Sequence, residues 1–300
     1  MDNAITVLAG ATGDLGERIA RTLLKRDTKL RIIVRHSSNP GKINKLQSLG
    51  AEIAEVDFNS VPELTKACSG GSCVISALSG LRDVIVEAQS LLLDAAIKAG
   101  VPRFIPSDYA IDFTKLPPGI NRNLDLRREF HQRLDKAPIA ATSILNGMFT
   151  DLLTGQAPMI LFKLHRVVCW EDADQRLDFT TIDDAAEFTA EVALDHSTPR
   201  FLRIAGDQSS ARGLVDIASE VTGKKFRLFR AGNLKRLETL IKVTRAIIPQ
   251  SSVLYPPWQG MQYMHNMFSG LAKLEPLDNG RYQGMQWTTV KDVLSAHLSR

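Results

Sequence analysis

Cysteine is scarce in this chain of 300 residues: Cys68, Cys73 and Cys169 are the only three. They form neither a Cys-x-x-Cys pair nor an even set. A disulfide framework is therefore excluded, and a reducing, cytoplasmic compartment is expected. The six histidines are scattered, with no His-Glu-x-x-His, so no metal centre is expected. There is no Gly-x-Ser-x-Gly, no P-loop and no carboxylate pair placed for hydrolysis, which removes the hydrolase and kinase readings. No uncharged apolar run approaches the roughly 18 residues a membrane span needs. The opening Met-Asp-Asn runs straight into a strand, without a basic region and an apolar core behind it, so no leader and no membrane partner are expected. A balance of 37 basic to 33 acidic residues gives +4, with no basic block, and argues against a nucleic-acid partner. What remains, at 44% hydrophobic and 23% charged, is an ordinary soluble chain long enough for a substantial core.

The richest stretch is the first. The apolar run Ile5, Val7, Leu8 meets glycines at 10, 13 and 16, and a helix-patterned segment with Leu15, Ile19, Leu23 and Leu24 follows at once. Strand, tight turn and helix in that order form a phosphate cradle: Gly10 for a conformation other residues avoid, Gly13 for close approach of a pyrophosphate, Gly16 for close helix packing. Amides at the helix start then face negative charge. A plain structural turn is the competing reading. A second strand, Leu30–Arg35, ends where a dinucleotide's ribose would lie, and the acidic residue of an NAD binder is missing there. Arg35 stands in its place. A guanidinium forks onto a phosphate, so NADP(H) is favoured, with Lys42 and Lys45 able to assist.

Further strands are expected at Ala51–Val56, Ser72–Ser76, Arg103–Pro106 and Ile139–Leu145, with helices between them. This alternation makes right-handed βαβ units and a doubly wound parallel sheet of Rossmann type. Ligands bind such sheets beyond the carboxyl ends of the strands, which gathers Gly10–Gly16, Arg35, Ser76–Ser79 and Ser107–Tyr109 around one crevice. Past residue 150 the pattern changes to short strands and helices, with aromatics between Tyr255 and Phe268. The expected organisation is a nucleotide-binding domain over residues 1–150, with some later segments returning to it. Residues 151–300 then form a smaller, interleaved substrate-binding portion, since no Ser/Gly/Pro-rich spacer separates the two. Asp183-Asp184 reads as a helix cap.

Several of these stretches resemble the NmrA-like and isoflavone-reductase-like branch of the atypical short-chain dehydrogenases. They are Gly10-Ala-Thr-Gly-Asp-Leu-Gly16, Val34-Arg35, Ala95 through Tyr109 with its Arg-Phe-Ile-Pro-Ser run, Asn146-Gly147 and Gly284 through Val290. The resemblance implies cofactor contacts from Gly10, Thr12, Gly13, Asp14, Leu15, Gly16, Arg35, Ser76, Ala77, Leu78 and Asn146. It implies an NADPH-dependent reductase of a small apolar or aromatic molecule. The alternative is a nucleotide-binding, redox-sensing regulator without turnover, whose output is a protein contact; an isomerase that keeps its cofactor is a third reading. The resemblance fails at the catalytic lysine of the reductases. Counting back from Ile139 lands on Arg127, and anchoring on Arg127-Arg128 lands on Asn123. An arginine cannot act as a general base, though it can orient a substrate oxygen or stabilise an oxyanion. Tyr109 and Arg127 are the catalytic candidates, with Tyr109 as a proton donor if an adjacent cation lowers its pKa.

Overall fold

The computed structural model describes residues 5–299. Two compact units form. One takes in the chain up to Tyr109, Leu126–Ile144 and Ala185–Leu202; the other takes in Ala110–Asp125, Leu145–Asp184 and the chain from Arg203 on. The first unit therefore gathers three stretches of chain rather than one.

In the first unit the chain alternates β1 (Ile5–Ala9), α1 (Asp14–Lys25), β2 (Leu30–Arg35), α2 (Pro40–Ser48), β3 (Glu52–Val56), α3 (Val61–Cys68), β4 (Gly71–Ser76), α4 (Gln89–Lys98) and β5 (Arg103–Ile105). A π-helical turn, Asp83–Ala88, leads into α4. Then follow α5 (Arg122–Leu134), in this unit from Leu126 on, β6 (Ala140–Ala141) and α6 (Ile182–Leu194), in this unit from Ala185 on. All six strands run parallel in the order β3-β2-β1-β4-β5-β6. The order reverses between β1 and β4, and such a switch point is where ligands of this fold class bind. Helices cover both faces, so the central strands are buried and apolar: Val7, Leu8, Ala9, Val74, Ile75 and Phe104 are fully buried. Ser60 caps α3 by accepting from the Glu63 amide, as its position before the helix predicts.

The sixth strand is shorter than Ile139–Leu145. The Ala140 and Thr142 amides bond to the Pro102 and Phe104 carbonyls beside them, but the Ser143 amide turns to the Arg200 carbonyl at 2.8 Å. The chain leaves the sheet there because a second acceptor takes over its donors.

The second unit holds two small sheets. Leu177–Thr180 runs antiparallel to Asp207–Ser209 and parallel to Met148–Phe149. Arg166–Trp170 lies between Ile160–Leu161 and Arg227–Gly232. Around them lie α7 (Ala211–Thr222), α8 (Leu234–Ile247), α9 (Pro257–Phe268) and α10 (Val290–Leu298). The aromatic stretch divides by burial: Trp258 and Phe268 are core, whereas Tyr255 is exposed. The Asp183-Asp184 cap is corrected. Thr181 Oγ1 accepts from the Asp184 amide, and the Asp184 carboxylate instead holds the amide and hydroxyl of Thr288 at 2.9 and 3.0 Å. Among the described residues no helix is long and apolar enough to cross a membrane.

Candidate cofactor cradle and the turn beside it

Gly10 has φ +88°, the left-handed region that favours glycine, and a Cβ there would lie 2.4 Å from the Ala77 carbonyl oxygen. A Cβ at Gly16 would lie 2.1 Å from the Gly10 carbonyl oxygen. Both glycines are therefore fixed by backbone contact. Gly13 differs. It is exposed, a Cβ there would meet only the Gly10 carbonyl at 3.3 Å, and no side chain caps the helix that it starts. The start of α1 thus leaves room and uncommitted amide donors for an anion.

The neighbours of this turn are cationic or small. The Thr12 carbonyl accepts from Lys42 Nζ at 2.7 Å, which holds an ammonium beside the turn. Lys45 pairs instead with Glu17 at 3.2 Å. Asp14 is engaged by Arg18 at 2.9 Å, and Leu15 is half-buried. Arg35, the last residue of β2, is exposed, and among the described residues its guanidinium has no hydrogen bond or ion pair. At the end of β4, Ser76 is fully buried and its hydroxyl has no partner among the described residues. The Ala77 amide donates to the Ala9 carbonyl at 2.9 Å, tying the two strand ends together. Leu78 offers its carbonyl to the Ser107 hydroxyl at 2.6 Å. The structure thus brings Gly10–Gly16, Ser76–Leu78 and the turn beyond β5 to one end of the sheet, with Arg35 at the end of β2.

That turn, Ser107–Tyr109, is anchored from behind. Besides the bond to Leu78, the Ser107 amide donates to Gln89 Oε1 at 2.9 Å. Asp108 is fully buried, with Oδ2 at 2.6 Å from Nε2 of His131 on α5. Burial pushes the Asp108 carboxyl up. His131, the Ser143 hydroxyl and the Arg127 guanidinium outweigh that and hold it below the usual carboxylate range. The expected cation-lowered phenol at Tyr109 is corrected. Burial pushes it up, the neighbouring Asp108 and Cys73 add to this, and the nearby Thr189 side chain only partly offsets them; the hydroxyl itself has no hydrogen-bond partner among the described residues. Arg127 is half-buried and acts electrostatically on Asp108.

The other two positions lie in the second unit. Asn123 is tied down, its amide nitrogen donating to the Leu254 carbonyl at 3.1 Å and its oxygen accepting from Arg122 at 3.0 Å. Asn146 is fully buried, and neither its amide oxygen nor its amide nitrogen has a partner among the described residues. Asp112 and Lys115 belong there too. Asp112 is buried against Arg203 at 2.7 Å, and Lys115 Nζ donates to the Lys273 carbonyl at 2.7 Å.

His131, Arg200, Ser143 and Gln89 were invisible as site residues in the sequence. The one available signal was a histidine next to Phe130, an apolar position of the α5 pattern.

A family model described as the NmrA-like family matches residues 1–283. Pinoresinol reductase 1 of Arabidopsis thaliana is 27% identical over 265 residues, covering 82% of each chain. Among solved structures, AtPrR2 with NADP+ and (+)-pinoresinol superposes with a TM-score of 0.82 at 20% identity, covering 99% of each chain. The leucoanthocyanidin reductase–NADPH binary complex from Vitis vinifera gives 0.80 at 17% identity, over 99% of this chain and 100% of that one.

Proposed function

Because the chain belongs to the NmrA-like family, we propose that it is an NADP(H)-dependent reductase of a small apolar or aromatic molecule, acting in the cytosol. The observation that carries the cofactor reading is Arg35: a charged fork at the end of β2 with no partner among the described residues, where an NAD binder needs a carboxylate. The cradle fits the group. Its glycines are fixed by backbone contacts, its helix start is uncapped, and a buried Ser76 hydroxyl awaits a partner. Gly10–Gly16 would hold the diphosphate, Arg35 with Lys42 the 2′-phosphate, and Ser76–Leu78 the face of the ribose and nicotinamide. The cofactor supplies the hydride.

The protein's own residues orient and exclude water. Tyr109 keeps its proton because its phenol is pushed up, so it serves as a hydrogen-bond donor to a substrate oxygen. Arg127 stays cationic and supports developing negative charge. The unpaired Asn146 amide offers one donor and one acceptor to a bound ligand, and the second unit supplies the substrate surface. Relatives named as pinoresinol and pinoresinol-lariciresinol reductases support a small-molecule substrate. Three free, buried cysteines, two of them with thiols pushed up to about 12 by burial, suit a reducing compartment.

One observation favours the regulator alternative: α5 contains no lysine. Calorimetric titration with NADPH, NADP+, NADH and NAD+ in one buffer separates the two. Tighter NADPH binding than NADP+, with both ahead of the other pair, is the reductase result. Oxidised forms binding much tighter than reduced ones would favour the sensor and a protein partner.

A further inference from the structure

Arg200 reaches Asp108 through His131 inside the first unit. Its Nη1 is anchored by donating to Ser143 Oγ at 2.6 Å. Its Nη2 lies 3.1 Å from His131 Nδ1, and His131 Nε2 lies 2.6 Å from Asp108 Oδ2. Asp135 steadies the guanidinium at 2.9 Å. A guanidinium can only donate, so Nδ1 is an acceptor and the imidazole proton sits on Nε2, donating to Asp108. Arg200 thereby fixes the tautomer, and the tautomer fixes the carboxylate. Asp108 and Ser143 are fully buried and His131 is 7% exposed, so solvent cannot substitute for these bonds.

The residues on either side of Asp108 are Ser107, bonded to the Leu78 carbonyl beside the cradle, and Tyr109. We propose that His131 is a positioning residue. Its Nε2 tautomer, set by Arg200, holds Asp108 so that the Ser107–Tyr109 turn meets the nicotinamide half of the cofactor. This rests on the reading of the cradle as an NADP(H) site.

The test compares affinities for NADPH and for 2′-phospho-ADP-ribose, which has the same phosphates but no nicotinamide. In wild type NADPH should bind at least about tenfold tighter than the fragment. His131→Leu should shrink that ratio severalfold with fragment affinity unchanged, and His131→Gln, which retains an N–H donor, should restore it. A general loss of structure would lower both affinities together, so the ratio isolates positioning. Arg200→Gln cuts the network at its origin and should shrink the ratio too, which keeps the test available should His131→Leu not fold. Histidine 15N spectra of the whole protein should show His131 Nδ1 unprotonated. An unchanged ratio in folded His131→Leu or Arg200→Gln, a wild-type ratio near one, or a protonated Nδ1 overturns the proposal. Wild type that binds neither ligand instead overturns the NADP(H) reading itself.

Discussion

The glycine turn after β1 and the turn after β5 lie at the same end of one sheet, yet they are built in opposite ways. The first is backbone on backbone: Gly10 against the Ala77 carbonyl, Gly16 against the Gly10 carbonyl. The second is side chain on side chain, through Asp108, His131, Ser143 and Arg200. A backbone-built turn tolerates no added atom at Gly10 or Gly16 but leaves the uncapped start of α1 open to a ligand. A turn built on buried charges tolerates small changes of volume but no loss of a partner.

The largest effect that this contrast predicts is that of Gly10→Ala. A methyl group 2.4 Å from a carbonyl oxygen, at φ +88°, forces two strand ends apart. We expect about 2–3 kcal/mol of destabilisation from overpacking and backbone strain, with the nucleotide site lost. Gly13→Ala, with room around it, should leave stability within about 1 kcal/mol while weakening nucleotide binding. If the two substitutions destabilise equally, the cradle is not organised by the contacts described.

Next comes Asp108. Asp108→Ala leaves the buried His131 Nε2–H without its acceptor and should cost about 1–3 kcal/mol in urea unfolding, the usual penalty for an unsatisfied buried donor. A loss under about 1 kcal/mol would break the contrast. The sign of the pH dependence follows from the lowered carboxyl. Its stabilisation is present above the unfolded-state value near 4 and is lost as pH falls through the lower folded value. The acid limb of the wild-type stability curve should accordingly be steeper than that of Asp108→Asn.

Arg35→Ser sharpens the comparison from the ligand's side. Removing a charge-assisted fork costs about 1.5–3 kcal/mol of NADPH affinity, or roughly tenfold to a hundredfold. NADH should be nearly indifferent, and calorimetry reads both. Equal losses for the two nucleotides would remove Arg35 from 2′-phosphate recognition.

The same contrast explains what could be read in advance. Glycine spacing, the charge at position 35 and the strand–helix alternation are local in sequence, so the cradle and sheet were legible. The Asp108 network is not local: its carboxylate meets a residue 23 positions away, and that histidine meets one 69 positions further on. No periodicity announces such a pairing. Asp184 was misread for a related reason, since its carboxylate serves Thr288, 104 positions away, while the nearby Thr181 performs the cap. The return of α6 to the first unit was equally hidden, because Arg103 binds the carbonyls of Val192 and Ala193 only once the chain has folded.

Tyr109 is where the two modes meet, and it carries the smallest expected effect. Its ring is buried by packing, so phenylalanine fills the same space, and only the hydroxyl beside Thr189 is lost. The hydroxyl has no hydrogen-bond partner among the described residues, so Tyr109→Phe should change stability by less than about 1 kcal/mol. Because the phenol is pushed up, it holds its proton across the working range, and its protonation should contribute no limb to the pH–rate profile. Turnover should fall less than tenfold, as expected for a lost donor to an oxygen that gains little charge. A hundredfold loss, or an alkaline limb in wild type that vanishes in Tyr109→Phe, would instead make the phenol the proton source. The turn after β5 would then be chemical as well as positional.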